Sequence, residues 1–514
     1  MPSAPSTRAD VESAETGGDR VARTETSLTR ELADWASGLR FADLPERIVG
    51  AATSQFMSHL AVLRASLGHP LGRRLVDAFG PPTAADPGRA AYVLAGLSSC
   101  LYFEDSLYVG HVTHSSINVP LAYRQERRLT GQQLLAALVA SGECAARVTA
   151  AAALGPLRGQ GSSYTQLIGA AAARLHVTGA PVRQWVDAWG LALAAPPWPL
   201  RRAVLGSDAK VLSAAVPVRI ALDACDAAAA GIGGAADILE HPGGLLAKFS
   251  QVPSPEVVTL GLGSRWHTDS LTIKMHPAGA YVDAAVDCAA RLHGQLSPAD
   301  LADIEEIVVS AARLTIHMDG EGTPYLDRER SAIMALNVSV GYNVATTLVT
   351  GSVRPSDLAE PALADPVRWE LAAKVRLEYD EQLSRRLLAA TAPLGEALRQ
   401  AGDRARDWLA AFAGGPALAD PTPLDEPSKT FEQADKAIGA RLRVTLRDGR
   451  VLTAASDSAL GSAGPETRRT HRTLVRDKLA ATGVPPELTA ALERVAELDA
   501  TELDDVVRAA LSCR

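Results

Sequence analysis

Three side chains in this sequence are suited to moving a proton beside a bound anion. His114 lies in the small-residue segment Thr113–Ser116, and an imidazole exchanges protons near neutral pH. Lys210 and Lys274 lie in stretches of otherwise apolar or small residues. Two ammonium groups facing one pocket would bind a carboxylate or a phosphate strongly once water is excluded. The alternatives are a loop histidine bonded to backbone and two solvated surface lysines.

The adjacent residues Asp105 and Ser106 add a carboxylate and a hydroxyl. These groups could hold the histidine or an acid group of a ligand, but both residue types are also favoured helix caps. Both interpretations stay open. The glycine-rich stretch 231–234 follows an alanine-rich helix rather than a strand, so it does not indicate a nucleotide-binding loop.

The first half of the chain is predicted to be all-helical. Apolar residues at helical spacing begin with Leu32 and Trp35, and Thr130 with Gln133 forms a capping box. Up to about residue 265 no convincing strand pattern appears. We therefore expect residues 28–267 to form a helical domain, preceded by a disordered segment at 1–27.

The pattern of the second half predicts an α+β domain over residues 268–457. Short strands are expected at 304–309, 375–380 and 442–446, and Asp448-Gly449 supplies a tight turn into a last strand at 451–453. Residues 381–435 are expected to be helical or looped. Residues 458–514 return to amphipathic helices, which we expect to pack on the helical domain.

Composition restricts the partners of this chain. With a formal net charge of −8 over 514 residues, a broad nucleic-acid or anionic-membrane surface is not expected. The five cysteines contain no C-x-x-C pair, which argues against common zinc and iron–sulfur sites. We see no apolar run long enough for a bilayer and no signal peptide. A cytoplasmic protein is therefore expected.

Several segments, in this order, resemble the MmgE/PrpD family, which includes 2-methylcitrate dehydratase, cis-aconitate decarboxylase and iminodisuccinate epimerase. The likeness covers about residues 28–460, and its motifs are Phe103-Glu104-Asp105-Ser106, Thr113-His114-Ser115-Ser116, Lys210-Val211-Leu212, residues 237–244, Ile273-Lys274 and residues 336–351.

The resemblance implies an all-helical domain, an α/β lid domain and a site in the cleft between them. It also implies a homodimer without a metal, small carboxylic acid substrates and proton movement next to a carboxylate, usually with loss of water or carbon dioxide. His114, Lys210, Lys274, Asp105 and Ser106 fall at family site positions.

Part of the family's acid–base set is replaced in this chain. The family's second active-site histidine aligns with Gln160, and a third aligns with Gly279. The acidic residue before the family's Phe becomes Tyr102, and an early helical Asp becomes Met57. An amide or a glycine cannot exchange the proton, and loss of one acid or base typically costs about 10²–10⁴-fold in rate. Tyr102 is one candidate replacement.

His276, two residues after Lys274, is the other candidate replacement. The segment between Ser106 and His114 is also about two residues longer than the resemblance leads us to expect. The standard dehydratase or decarboxylase reaction would therefore be severely slowed. These departures suggest a specialised pathway, such as secondary metabolism or antibiotic biosynthesis.

The sequence thus predicts a cofactor-independent lyase that acts on a small anionic substrate. Lys210 and Lys274 would anchor the anion, His114 would move the proton, and Asp105, Ser106 and Gln160 would orient the reactants. A leaving group that needs little protonation, such as phosphate, would suit the missing histidines.

Two rival functions stay open. An isomerase or epimerase would remove and return a proton without elimination, and solvent deuterium in recovered substrate would identify it. A catalytically silent scaffold is possible because a fold does not guarantee activity. Such a scaffold would tolerate Lys210→Ala and His114→Ala without loss of product.

Overall fold

The computed structural model describes residues 27–108, 110–156, 159, 161–413 and 426–512. The fold is mainly helical with a smaller α+β part. The first twelve helices are α1 (Leu28–Gly38), α2 (Glu46–Gly68), α3 (Pro70–Phe79), α4 (Pro87–Ser99), α5 (Thr113–Ser116), α6 (Asn118–Arg127), α7 (Gly131–Ala151), α8 (Gly161–Thr178), α9 (Val182–Ala192), α10 (Arg201–Gly206), α11 (Lys210–Ala229) and α12 (Leu245–Phe249). Residues 1–26, predicted to be disordered, lie outside the described residues.

Helices α7 and α8 form the centre of the helical part. The predicted capping box of Thr130 and Gln133 opens α7. This helix is long and apolar enough to cross a bilayer by length and composition alone, a possibility that the sequence analysis did not recognise. Its apolar window is completely buried inside the protein, as in the core helix of a soluble domain. Gly169 lets helix α8 approach Ser115, because a Cβ at residue 169 would collide with the Ser115 hydroxyl.

The prediction that the first half contains no strand is wrong at one point. Residues Ser106–Leu107 form strand β1, which pairs antiparallel with β2 (Leu271–Thr272), Ser106 opposite Thr272. A ladder of two residues on each side is too short to leave a period-two pattern in the sequence. Its consequence is functional, since it fixes the segment of Ser106 beside the segment of Lys274.

A four-stranded sheet forms the α+β part. Its strands β3 (Ile304–Ala311), β4 (Val375–Tyr379), β5 (Ala440–Leu446) and β6 (Val451–Ser456) are arranged in the order β4-β3-β5-β6. Strand β3 is parallel to β4 and antiparallel to β5, and β5 and β6 form a hairpin. The predicted strands are therefore present. Gly449 has a φ of 87°, the left-handed conformation that the predicted turn requires.

The helices that accompany this sheet in the described part of the chain are α13 (Asp283–His293), α14 (Pro298–Asp303), α15 (Arg313–Gly322), α16 (Ile333–Val338), α17 (Val340–Thr350), α18 (Pro366–Ala372), α19 (Glu381–Ala389), α20 (Gly395–Ala401) and α21 (Arg406–Ala413). Buried apolar residues of α13, α17, β3 and β5 form one core, which includes Val286 and Ile307, and partly buried apolar residues of β4 and β6 pack against it. Helices α19 to α21 account for the described part of the stretch predicted to be helical or looped.

The chain ends with α22 (Pro465–Ala481), α23 (Pro486–Glu493) and α24 (Ala500–Leu511). These helices bury Val475 and Leu503 in the same core as Phe56 and Leu60 of α2. That core also contains Trp266 and residues of α16 and α17, so apolar packing continues across the predicted boundary at 267. The division at residues 267 and 457 stays a prediction.

Candidate functional site

His114 is held by hydrogen bonds from the helical part. Its Nδ1 lies 2.8 Å from the hydroxyl of Ser98, and Asn118 donates to both that hydroxyl and the His114 carbonyl, at 2.9 and 3.1 Å. The other ring nitrogen, Nε2, lies 3.3 Å from a carboxylate oxygen of Glu104. A lone pair there would be repelled by the carboxylate, so the geometry favours a proton on Nε2. His114 itself is 5% exposed.

Glu104 is the centre of the cluster, and the sequence analysis did not single it out. It is completely buried, with His111 Nδ1 at 3.1 Å, His114 Nε2 at 3.3 Å and the Lys210 ammonium at 3.9 Å. Burial alone would raise the pKa of Glu104, but Lys210 and the two histidines outweigh burial and hold this pKa well below its usual range. The group is therefore a permanent anion among cationic or polarisable partners.

The ring of Tyr102 brings the two predicted lysines together. The ammonium groups of Lys274 and Lys210 lie 4.0 and 4.2 Å from the ring centroid. Each also donates to backbone carbonyls: Lys210 to Ser99 at 2.9 Å, and Lys274 to Tyr102 and Ala278. Burial lowers the pKa of both lysines. Tyr102 has a φ of 55°, a conformation that costs a non-glycine residue about 1 kcal/mol or more.

Asp105 has a different place from either of the two predicted for it. It lies just before β1 rather than at a helix start, and one of its oxygens accepts a hydrogen bond from the backbone N–H of Lys274 at 3.1 Å. The ammonium of Lys478, from α22, lies 3.3 Å from the same oxygen. Burial raises the pKa of Asp105, and Lys478 opposes that shift. Asp105 thus connects the Lys274 segment to the last part of the chain.

Asn337 joins the two loops that carry the charged groups. Its side-chain amide donates to the carbonyls of Leu101 and Pro277, at 3.2 and 2.6 Å, and its backbone carbonyl accepts from the N–H of Gly279 at 2.7 Å. The residue is completely buried. Nothing in its local sequence distinguishes it from a structural asparagine, so only the folded chain identifies it.

The ring of Tyr281 occupies the space beside Gly279. A Cβ at Gly279 would lie 2.7 Å from the Tyr281 ring, so the phenol fills the space where a histidine at that position would begin. The hydroxyls of Tyr281 and Tyr102 are 3.4 Å apart. Burial raises the pKa of Tyr281 to about 12 and that of Tyr102 well above its usual value. Both phenols therefore stay protonated at neutral pH.

His276 contacts a carboxylate of helix α13, in the α+β part of the structure. Its Nε2 lies 2.9 Å from Asp287. Burial would lower the pKa of His276, but the hydrogen bond and charge of Asp287 reverse this and raise it. The hydrogen bond and the charge of Asp287 therefore favour the protonated form of His276. This arrangement makes it a weaker substitute for a free acid–base histidine than its position suggests.

Gln160 lies outside the described residues, so its predicted role is not described by the structure. Ser106 is described, and its hydroxyl accepts a hydrogen bond from the ammonium of Lys436 at 3.3 Å. Within the described ranges no three His, Cys, Asp or Glu side chains gather as metal ligands would.

The cluster has little opening to solvent. Lys274 is 2% exposed, whereas the side chains of Lys210 and His111 are 12% and 27% exposed. A ligand would therefore enter on the side of Lys210 and His111. A cavity of about 1230 Å³ is lined by Trp198, Arg313 and other residues, but by none of the predicted site residues that the structure describes.

Comparison with known proteins gives the family. The profile of the MmgE/PrpD N-terminal domain matches residues 30–258, and that of the MmgE/PrpD C-terminal domain matches residues 276–422. Two cis-aconitate decarboxylases of Aspergillus terreus, one from strain NIH 2624 / FGSC A1156, are each 24% identical over 394 residues, which cover 70% of this chain and 79% of the relative. These matches, the mainly helical fold and the clustering of the motif residues agree. The chain belongs to the MmgE/PrpD family and has the scaffold of a dehydratase- or lyase-type enzyme.

Proposed function

We propose that this protein is a cofactor-independent lyase that removes a proton from a small anionic substrate and expels an oxygen leaving group. The observation that carries the proposal is the meeting of Lys210, Lys274 and His114 around Tyr102 and Glu104. Cations and one imidazole are the groups that such an elimination requires.

The charge of the cluster supports an anionic substrate. Among the described residues, the charged groups around this point include four lysines and three carboxylates: Lys210, Lys274, Lys436, Lys478, Glu104, Asp105 and Asp283. The neighbouring pair of His276 and Asp287 adds one group of each sign. Burial raises the pKa of Asp283 to about 6, so one carboxylate is only partly charged near that pH. Uncompensated positive charge in a buried place is costly, and a bound carboxylate or phosphate would relieve that cost.

Glu104 gives the site an internal anion. A substrate carboxylate or phosphate that reaches Lys210 would compete with Glu104 for the ammonium and for His114 Nε2. Since Ser98 fixes the opposite ring nitrogen, Nε2 is the atom of His114 that meets the substrate. The imidazole then holds or moves the proton of the reacting carbon or leaving group.

The two phenols favour a leaving group that departs without a full proton. Tyr102 and Tyr281 stand near positions where the resemblance implies ionisable acids, and their raised pKa values make them poor proton donors. They can still donate hydrogen bonds. Phosphate is a stable leaving group without added protonation, whereas hydroxide is not, so an activated oxygen leaving group suits this site better than water.

The test is elimination from a panel of phosphorylated and free hydroxy acids, such as 3-phosphoglycerate, O-phosphoserine, malate and citrate. Phosphate release is followed by ³¹P NMR and alkene formation by ultraviolet absorbance. His114→Gln should slow release by about 10²-fold or more, whereas His241→Gln, at an exposed histidine, should not. Equal rates in both variants would contradict the role of His114. Deuterium in recovered substrate without alkene would favour an isomerase instead.

Three further properties are proposed, the first from the family resemblance, the second from the scattered cysteines and the third from the replaced acid–base residues. The protein would act as a homodimer, in the cytoplasm, and in a specialised pathway. Sedimentation of the purified chain tests the first of these, and the genes beside this one test the last.

A further inference from the structure

Lys436 is the least satisfied of the four lysines in the cluster. Lys478 donates to Ser58, Phe103 and Asp105 at 2.9 to 3.3 Å. Lys436, only 6% exposed, has a single recorded hydrogen bond among the described residues, to the neutral hydroxyl of Ser106 at 3.3 Å. An ammonium with so few partners loses the hydration of its charge without replacing it.

The backbone holds Lys436 rigidly against Ser106. The N–H of Lys436 donates to the carbonyl of Ala463 at 2.9 Å, and the N–H of Ala463 donates to the Thr272 hydroxyl at 3.1 Å. Thr272 is the partner of Ser106 in the β1–β2 ladder. The amine and the hydroxyl are therefore fixed on one hydrogen-bonded frame, which makes their contact a built feature of the fold.

Two charged groups face Lys436 from neighbouring elements. Burial is the main cause that lowers the pKa of Lys436, to about 8; Asp283 of α13 opposes the shift, and Lys274 adds to it. One oxygen of Asp283 accepts no hydrogen bond from the described residues. The Asp283 carboxylate thus limits the lowering of the Lys436 pKa without forming a close ion pair with the Lys436 amine.

We propose that Lys436 is the proton acceptor that replaces a histidine missing from this chain, acting through the hydroxyl of Ser106. This inference rests on the proposed elimination. In the molecules in which Lys436 is a neutral amine, the substrate carbon gives its proton to the Ser106 oxygen while the Ser106 hydrogen moves to Lys436 Nζ. The C–H electron pair becomes the new double bond, the C–O bond breaks, and the leaving group departs with the electron pair of that C–O bond. The proton ends on Lys436 as an ammonium.

The test is trace acetylation of the full-length protein with acetic anhydride from about pH 6 to about pH 11, with each lysine quantified by mass spectrometry. Lys436 should be half-reactive near pH 8. Lys478 is the matched control: it is also buried, but its ammonium donates to Ser58, Phe103 and Asp105. Burial lowers the pKa of Lys478 as well, and Asp105 opposes that shift, so Lys478 should react less than Lys436 at each pH. Asp283→Asn should move the Lys436 midpoint to lower pH, since it removes the opposing carboxylate.

A Lys436 midpoint above about pH 10 would overturn the proposal. Absence of acetylation at every pH would overturn it too, because an amine that acetic anhydride cannot reach cannot serve a larger substrate. An unchanged midpoint in Asp283→Asn would contradict the electrostatic cause. None of these readouts needs turnover, so they stand apart from the test of lyase activity.

Discussion

Replacement of Glu104 by glutamine tests how the cluster is held together in the absence of a ligand. Glu104→Gln keeps the size of the side chain but removes the charge that Lys210, His111 and His114 share. At the 3.9 Å separation from Lys210, the Coulomb attraction is about 4 kcal/mol at an effective dielectric constant of about 20. Removing one partner of a buried pair commonly costs roughly 3–5 kcal/mol. We therefore expect the free energy of unfolding of Glu104→Gln to be lower than that of wild type by an amount in this range.

The assay is urea unfolding of the purified variant beside Glu306→Gln, the matched control. Glu306 pairs with Arg376 at 3.0 Å on the surface, where its side chain is 38% exposed, so its loss should cost about 1 kcal/mol or less. Inorganic phosphate should raise the free energy of unfolding more in Glu104→Gln than in wild type, because the variant leaves Lys210 without its internal anion. A loss no larger than that of Glu306→Gln, or no extra response to phosphate, would refute the reasoning.

Three other perturbations follow from the structure. Lys478→Met should destabilise the protein by about 3 kcal/mol, because Asp105 is left buried without its cation; calorimetry measures the loss, and a change below about 1 kcal/mol would contradict it. Burial lowers the pKa of Lys436 to about 8 in the folded chain, below an unfolded value of about 10.4. The unfolded chain therefore binds more protons between these values, and the free energy of unfolding should rise by roughly 2 kcal/mol from about pH 8 to about pH 10. Urea midpoints across that range should lose this rise in Lys436→Met, and an unchanged rise would assign it to another group. Gly279→Ala should cost about 1–3 kcal/mol by pushing on the Tyr281 ring, and Tyr281→Ala should abolish that cost in a double-mutant cycle.

The sequence was sufficient for most of the architecture. The capping box at Thr130, the strand at 375–379 and the hairpin around Gly449 were predicted because each has a local signal of spacing or turn chemistry. The ladder of Ser106 and Thr272 was not predicted, since two residues carry no periodicity. Because this ladder was not predicted, the contact between the Ser106 segment and the Lys274 segment was not predicted either.

The candidate site was predicted only in part. Lys210, Lys274 and His114 were identified from motifs, and the structure brings them together. Glu104 was overlooked although it lies inside a quoted motif, because a charged residue beside Asp105 resembles an ordinary acidic pair. Its burial against three partners is visible only after folding.

Lys436 and Lys478 were beyond the reach of sequence reasoning. Lys478 lies on an amphipathic helix and Lys436 in an irregular segment before β5, and lysines in such places are usually solvated. Both are instead buried by long-range packing, 375 residues from Phe103 in the case of Lys478. Only tertiary structure could place them beside the site.

The most direct test of the account is where an anion binds. Crystals of the full-length protein soaked in selenate should show anomalous density within hydrogen-bonding distance of Lys210 and Lys274, with Glu104 displaced from the Lys210 ammonium. In Lys210→Met crystals that density should be absent. Selenate bound only at Arg313 and other residues of the 1230 Å³ cavity, with the lysine cluster unchanged, would contradict the account.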